Sequence, residues 1–345
     1  MIPELRMALM PLPMEAASAH ESPQAQVARK LGDLMRRCWN DKAFKTHVTP
    51  YELMRAVGAA SRDAFTSETE GDPVAFFQFM LNTVEMGLKH IRATLRKKTM
   101  KKKRKHADAE GENGTSYTTG AVAATSALPS TPMSETEKTM TEACTAVSQF
   151  RGALELTQLD AEDKTPRVVP YVTLALDLPR NPLYKDEREK NAIPQVPLLS
   201  LLRKYDGSTV HDTPRHGRRL FSLLKDRLPK YLVLTVTRFE KKTFFTEKNR
   251  TIVNFPIAGL NVCGETYTLL ASVRHQGDVN KGGYAVHVRR LAEKTWYDMD
   301  GLHVREVLPQ QVALGEATIL VYTRAGKQQQ QQQQVDEGAH HAMKS

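Results

Sequence analysis

A cysteine, a histidine and a carboxylate can together cleave an amide: the thiolate attacks, the imidazole moves the proton, and the acid orients the imidazole. The chain holds three cysteines, Cys38, Cys144 and Cys263, and none adjoins a histidine in sequence. Cys38 recurs at helical spacing with Val27, Leu31, Leu34 and Met35, between Arg37 and Trp39, and is read as a packed core thiol. Cys144 follows a stretch of biased composition, and Cys263 falls in a turn before a strand. The densest run of candidate groups lies further on. His275-Gln276-Gly277 precedes Lys281-Gly282-Gly283-Tyr284-Ala285-Val286, and Trp296-Tyr297-Asp298-Met299-Asp300-Gly301 follows. His287 alternates with Val286 and Val288 and so points away from the Tyr284 side of its strand, a poor place for a base. His47 and His303 have no evident partner.

These groups need elements to position them. Val27, Leu31, Leu34 and Met35 mark a helix from Ala25 that stops near Asn40-Asp41. Thr49-Pro50-Tyr51-Glu52 opens a second, with Thr49 as cap and Pro50 in the first turn. Gly71-Asp72-Pro73 opens a third, whose apolar residues from Val74 to Ile91 run round the helix and predict a buried central element. Residues 1–24 lack periodicity and are expected to form a flexible arm. From about 97 to 148 a basic run and a Thr/Ser/Ala/Pro-rich stretch predict an insertion, with a short helix around Glu135 to Val147. The second half predicts strands at Val168 to Leu178, Tyr231 to Val236, Thr251 to Phe255, Tyr267 to Val273, Gly283 to Arg290 and Ala317 to Tyr322. Helices first and antiparallel strands afterwards indicate an α+β domain over 25–325. The seven glutamines of Gln328 to Gln334 mark 326–345 as a disordered tail.

The net charge is +10, much of it in one place. Arg96, Lys97, Lys98, Lys101, Lys102, Lys103, Arg104 and Lys105 are eight basic residues in ten. Such a run stays solvated and reads as a nuclear address or a phosphate-backbone contact; the plainer alternative is a charged loop with no partner. No aromatic residue interleaves it, so any RNA contact there is unspecific and salt-sensitive. An odd number of widely spaced cysteines excludes a disulfide framework and a Cys-x-x-Cys zinc site, and suits a reducing compartment. No stretch approaches 18 consecutive apolar residues, which predicts no membrane span.

The motifs, taken in order, resemble the ubiquitin-specific protease family. Within it they resemble the catalytically inactive splicing subgroup associated with the tri-snRNP. The pieces are Leu31-Gly32-Asp33-Leu34-Met35-Arg36-Arg37-Cys38-Trp39-Asn40, Phe44-Lys45-Thr46-His47-Val48-Thr49-Pro50 and Gly71-Asp72-Pro73-Val74. Leu176-Asp177-Leu178-Pro179, Pro182-Leu183-Tyr184-Lys185-Asp186 and Ile193-Pro194-Gln195-Val196-Pro197-Leu198 continue them. Arg238-Phe239, Phe244-Phe245-Thr246-Glu247-Lys248-Asn249 and Ile252-Val253-Asn254-Phe255-Pro256 complete the series. The resemblance implies a papain-like α+β fold, with a helical N-terminal thumb and a C-terminal antiparallel palm with reduced fingers.

It also implies what is missing. The chain has no Asn-x-Gly-Asn-x-Cys-like segment, a gap that a short lineage and a late start of the chain explain equally. The family's Gly-His-Tyr histidine falls on Gly283, and its orienting acid falls on Gly301, with Asp300 beside it. The paired zinc cysteines of the fingers are absent. The resemblance therefore implies no catalytic residue, metal or cofactor. It implies a nuclear scaffold that contacts tri-snRNP proteins, a large scaffold protein and an RNA helicase among them, with ubiquitin bound weakly or not at all. A ubiquitin-binding pseudoenzyme is the alternative reading, and an active thiol deubiquitinase a third. The exposed part of Pro182 to Pro197 and the basic run are the expected contact surfaces. Trp39, Phe76, Phe77, Phe255 and Trp296 are expected in the core.

Overall fold

The computed structural model describes residues 2–12, 21–40, 42, 47–68, 71–110, 135–161, 164–179, 193–213, 215–279 and 281–325. Two compact units divide the chain, 2–148 and 149–345. The expected contact segment Pro182 to Asn191 and the glutamine tail lie outside the described residues.

The first unit is helical: α1 (Pro3–Leu9), α2 (Pro23–Cys38), α3 (Tyr51–Ser61), α4 (Pro73–Glu110) and α5 (Glu135–Ser148). Ser22 caps α2, its hydroxyl accepting from the Ala25 N–H at 3.3 Å, and Asp72 caps α4 by accepting from the Val74 N–H at 2.9 Å. Thr49 does not act as predicted. Pro50 occupies the cap position of α3 and supplies no side-chain capping hydrogen bond. The supposed arm begins with α1, whose Ala8 and Leu9 are buried. It approaches α2 so closely that a Cβ at Gly32 would lie 2.5 Å from the Leu9 carbonyl oxygen. Gly87 plays the same part between α4 and the start of α2, where an added Cβ would run into the Gln24 carbonyl.

Helix α4 buries a stripe of Leu81, Val84, Leu88 and Ile91, not its whole circumference. Asn82, Met86, Lys89 and His90 are exposed on its other side. It continues through the basic run to Glu110, so that run is helical where a loop was expected. Arg96 and Lys97 are exposed, while the side chains of Lys98 and of residues 101–110 lie outside the described residues. Cys38 is exposed, not packed, at the last turn of α2, and Trp39 is 37% exposed with Arg6 lying 5.5 Å over its ring.

The second unit opens with β1 (Gly152–Gln158), β2 (Arg167–Tyr171), β3 (Thr173–Asp177), β4 (Gln195–Pro197) and α6 (Leu198–Leu202). β5 (His211–Thr213), β6 (Gly217–Leu223), β7 (Tyr231–Thr237), β8 (Phe239–Lys241) and β9 (Thr246–Lys248) follow. The chain ends through β10 (Ile252–Asn254), β11 (Leu260–Val262), β12 (Glu265–Gly277), β13 (Gly282–Arg290), β14 (Thr295–Asp300), β15 (His303–Val307), α7 (Pro309–Val312) and β16 (Ala317–Arg324). The main sheet has the order β15-β14-β13-β12-β16-β7-β3, with β11 also on β12. Only its β3–β7 pair is parallel. A second sheet has the order β2-β1-β6-β5.

The single strand expected over Val168 to Leu178 is two. The chain bends at Val172 and leaves one sheet for the other. Pro170 cannot donate to a ladder on both sides, and β2 is accordingly an edge. Strand β7 is apolar and buried from Tyr231 to Val236, as a central strand should be. One face of the main sheet packs Leu174, Leu234, Leu320, Tyr322 and Trp296 into a core that includes Tyr171, Tyr205 and Phe255. Two motif pieces distant in sequence meet here. β4 and β10 pair in parallel, with Gln195 opposite Ile252 and Asn254 opposite Pro197.

Candidate functional site

The candidate frame lies on four consecutive antiparallel strands, β12 to β15, where every second residue shares a face. Register puts Ser272 opposite His287, Arg274 opposite Ala285 and Gln276 opposite Gly283. Asp298 sits opposite His287 on one side and Arg305 on the other. One face therefore carries Gly283, Ala285 and His287 beside Asp298 and Asp300. The other carries His275 and Tyr284.

Two adjacent glycines have opposite reasons to be there. A Cβ at Gly282 would lie 2.5 Å from the His275 ring and 2.6 Å from the Asp278 carbonyl oxygen. The histidine ring is buried and sits edge-on between Phe239 and Tyr284, each centroid 5.0 Å away. Gly282 is thus demanded by packing. Gly283 is exposed and a Cβ there would meet nothing within 4 Å. The backbone beside it is well held: Lys248 Nζ reaches the Gly277 carbonyl at 2.5 Å and Glu316 at 2.5 Å, and Arg250 pairs with Asp278.

Gly301 lies in the tight turn between β14 and β15, at φ +58°, where a side chain would be strained. Its neighbour Asp300 closes the ladder opposite His303 and, by alternation from Asp298, lies on the Gly283 face. A carboxylate is therefore on the face where Gly283 presents no side chain.

His287 shares the Gly283 face, as its alternation away from Tyr284 requires. Four residues of strand put it about 13 Å along from Gly283. It is also bound into a buried cluster that the sequence reading missed. Asp298, only 2% exposed, takes Arg274 Nη2 at 2.9 and 3.0 Å and Arg305 at 2.8 and 3.0 Å, with His287 Nε2 at 3.5 Å. Burial pushes the Asp298 carboxyl up, but the Arg274 and Arg305 hydrogen bonds outweigh it and hold the group below its usual range. Burial, then Arg274, push His287 down, against the pull of Asp298. Ser272, His287 and Asp298 thus align across three strands in the order of a hydrolase triad. Ser272 is 1% exposed and its hydroxyl has no hydrogen-bond partner among the described residues, so the alignment gives no nucleophile that a substrate could reach. Arg274, His287, Asp298 and Arg305 lie on four different strands and meet only through the strand register, so no spacing within one element signals the cluster.

Neither Cys263 nor Cys144 is primed as a nucleophile. Cys263 stands at φ +51° in the β11–β12 turn, at the opposite end of β12 from Gln276, on the order of 35 Å along the strand. Burial raises the Cys263 and Cys144 thiols, more than Lys225 in the first case or Arg92 and Lys89 in the second lower them. A thiolate nucleophile needs the reverse. No group of three or more metal-ligating side chains is placed to hold an ion among the described residues, and no described helix is long and apolar enough to cross a membrane.

The chain is similar to known proteins in sequence and in fold. A model of the ubiquitin carboxyl-terminal hydrolase family matches residues 1–322. Ubiquitin carboxyl-terminal hydrolase 39 of Homo sapiens is 32% identical over 311 residues, 86% of this chain and 50% of that protein. The probable mRNA-splicing protein ubp10 of Schizosaccharomyces pombe is 30% identical over 319 residues, 87% of this chain and 57% of that one. The chain spans about half the length of these curated relatives. Among solved structures, an essential yeast splicing factor superposes with a TM-score of 0.59 at 17% identity, covering 89% of this chain and 61% of the other. The SAGA Ubp8/Sgf11/Sus1/Sgf73 DUB module bound to ubiquitin aldehyde gives 0.55 at 16% identity, covering 89% and 61%. These two likenesses show the fold, and it is the α+β one that the motifs implied.

Proposed function

Because the chain belongs to the ubiquitin carboxyl-terminal hydrolase family, we propose that it keeps the fold of that family without its reaction and serves as a pre-mRNA splicing factor. In this reading residues 25–325 act as one family domain, a nuclear scaffold that helps assemble or stabilise the spliceosomal tri-snRNP through protein contacts. A large scaffold protein and an RNA helicase are the expected neighbours, and the basic run of α4 is the nuclear address.

The observation that carries the proposal is Gly283. The position to which the resemblance carries the family's base has no side chain, in open space, on a strand paired with β12 from Gly282 to Val288. Removing the base from such a catalytic unit costs orders of magnitude in rate. Gly301 adds to it, since the turn conformation there is one that glycine adopts without strain. The splicing names of one relative and one structural neighbour support the choice of process.

The test is affinity purification of the tagged full chain from nuclear extract at two salt concentrations, with protein and small-RNA readout. Recovery of tri-snRNP proteins and their RNAs, surviving the higher salt, is the expected outcome. Recovery of ubiquitin conjugates without small nuclear RNA would replace the scaffold by the ubiquitin-binding reading.

A further inference from the structure

The hairpin of β5 and β6 carries Arg215-His216-Gly217-Arg218-Arg219, a basic cluster that neither the fold nor the proposed function uses. We propose that it is a second polyanion contact, one that holds the phosphodiester backbone of single-stranded RNA. The choice of RNA over DNA rests on the splicing reading above.

β5 is the edge of its sheet, with His211 opposite Arg219, Asp212 opposite Arg218 and Thr213 opposite Gly217. Arg218 and Arg219 therefore point to opposite faces of a two-stranded ribbon that ends at Arg215. Arg215 and Arg218 are exposed. Arg219 is half-buried, its guanidinium stacked 5.6 Å over Phe221 with Nε buried and unpaired, so its fork is held in place. Among the described residues none of these three guanidinium groups has a hydrogen bond or an ion pair.

The nearby acids are mostly engaged elsewhere. Asp160 Oδ2 accepts the Arg218 backbone N–H at 2.6 Å. Asp177 is shared by Lys204 at 2.6 Å and His211 at 3.0 Å. Asp206 accepts from the Ser208 and Thr209 N–H groups, each at 2.7 Å. Asp212 is left, opposite Arg218 across the ribbon and without an ion pair among the described residues.

Two features select the partner. Within 203–219 Val210, 43% exposed, is the one large apolar side chain exposed among the described residues, so the tip lacks the apolar centre of a protein interface. Guanidinium forks, in contrast, match phosphate oxygens. Phe221 is covered by Arg219 and by Lys204 at 5.9 Å, which leaves no open ring for a base to stack on. The contact is then to phosphates and indifferent to sequence.

The experiment is fluorescence anisotropy of the full chain with a uridine oligonucleotide over a range of salt. The variants are Arg215→Gln/Arg218→Gln, which touches only exposed side chains, and Arg219→Lys, which keeps the charge and loses the fork. The double variant should weaken binding and reduce the slope of log K against log salt by about 1.4, two phosphates at roughly 0.7 each for single strands. The loss should persist when Lys101 to Arg104 are neutralised, and Arg219→Lys should weaken binding without a change of slope. Unchanged affinity and slope in the double variant would overturn the proposal. So would an equal loss of polyglutamate binding, which would make the tip a site for acidic protein. Purification of the same double variant from nuclear extract keeps the two ideas separate: recovery of tri-snRNP proteins by a variant with unaltered RNA binding would sink only the hairpin contact.

Discussion

His287 and Asp298 face each other directly across adjacent strands, with His287 Nε2 3.5 Å from Asp298 Oδ1, and both are almost fully buried. The two Arg side chains on Asp298 leave His287 in surroundings that oppose its protonation, and burial opposes it more.

That arrangement fixes a pH dependence. The folded pKa of His287 lies below the ordinary 6.5, so between that value and the folded one the unfolded chain binds the extra proton. The stability it contributes is complete above about pH 6.5 and is lost as pH falls through that window. Asp298, also depressed, holds its contribution until pH falls below the ordinary 3.8 towards its folded value. Urea unfolding from pH 8 to 4.5 should show stability falling below about 6.5, and His287→Gln should flatten that fall. An equally steep fall in the variant would put the dependence elsewhere.

Asp298→Asn is predicted to be strongly destabilising at neutral pH. It leaves Arg274, mostly buried, without its counter-charge, and breaking a buried pair from one side costs about 3 to 5 kcal/mol. Arg305→Gln removes a group 73% exposed and should cost under about 1 kcal/mol. Chemical denaturation of the two variants gives the ranking, and equal losses would contradict it.

The neighbouring glycines make a paired prediction. Gly282→Ala forces a methyl against the His275 ring and the Asp278 carbonyl, and should cost about 1 to 3 kcal/mol. Gly283→Ala meets nothing, and should stay within about 0.5 kcal/mol. Thermal melts of the two single variants decide it. A large loss at 283 would mean that the position has a packing duty, which would weaken its reading as a vacated catalytic place.

What the sequence revealed followed from periodicity and local chemistry. The unbroken apolar run of Tyr231 to Val236 found β7, and the Asp-Pro start found α4, because these signals lie within one element. Thr49 misled because a Thr-Pro pair looks like a cap when the helix starts one residue later. Cys38 misled because helical spacing locates a stripe without saying how far along the helix packing extends, and α2 is exposed at its last turn. The division of 168–178 into two strands of different sheets keeps the same alternation, so only pairing partners distinguish it. The Asp298 cluster was hidden for the same reason: Arg274, His287, Asp298 and Arg305 become neighbours only through the register of four strands.

The last prediction concerns thiol chemistry, where the proposed loss of catalysis is most exposed to refutation. Cys38 and Cys263 are open to solvent, and a small alkylating reagent should reach both. For Cys263 the raised thiol pKa makes labelling slow at neutral pH and faster above about pH 9, the ordinary value that burial has pushed upward. A catalytic cysteine would do the opposite, reacting near neutrality and selectively with a thiol-reactive ubiquitin probe. We expect the full chain to form no adduct with such a probe, and Gly283→His not to create one, because no activated thiol accompanies the restored imidazole. Adduct formation by the unmodified chain, mapped by mass spectrometry to any of the three cysteines, would overturn the non-catalytic reading whatever the geometry at Gly283.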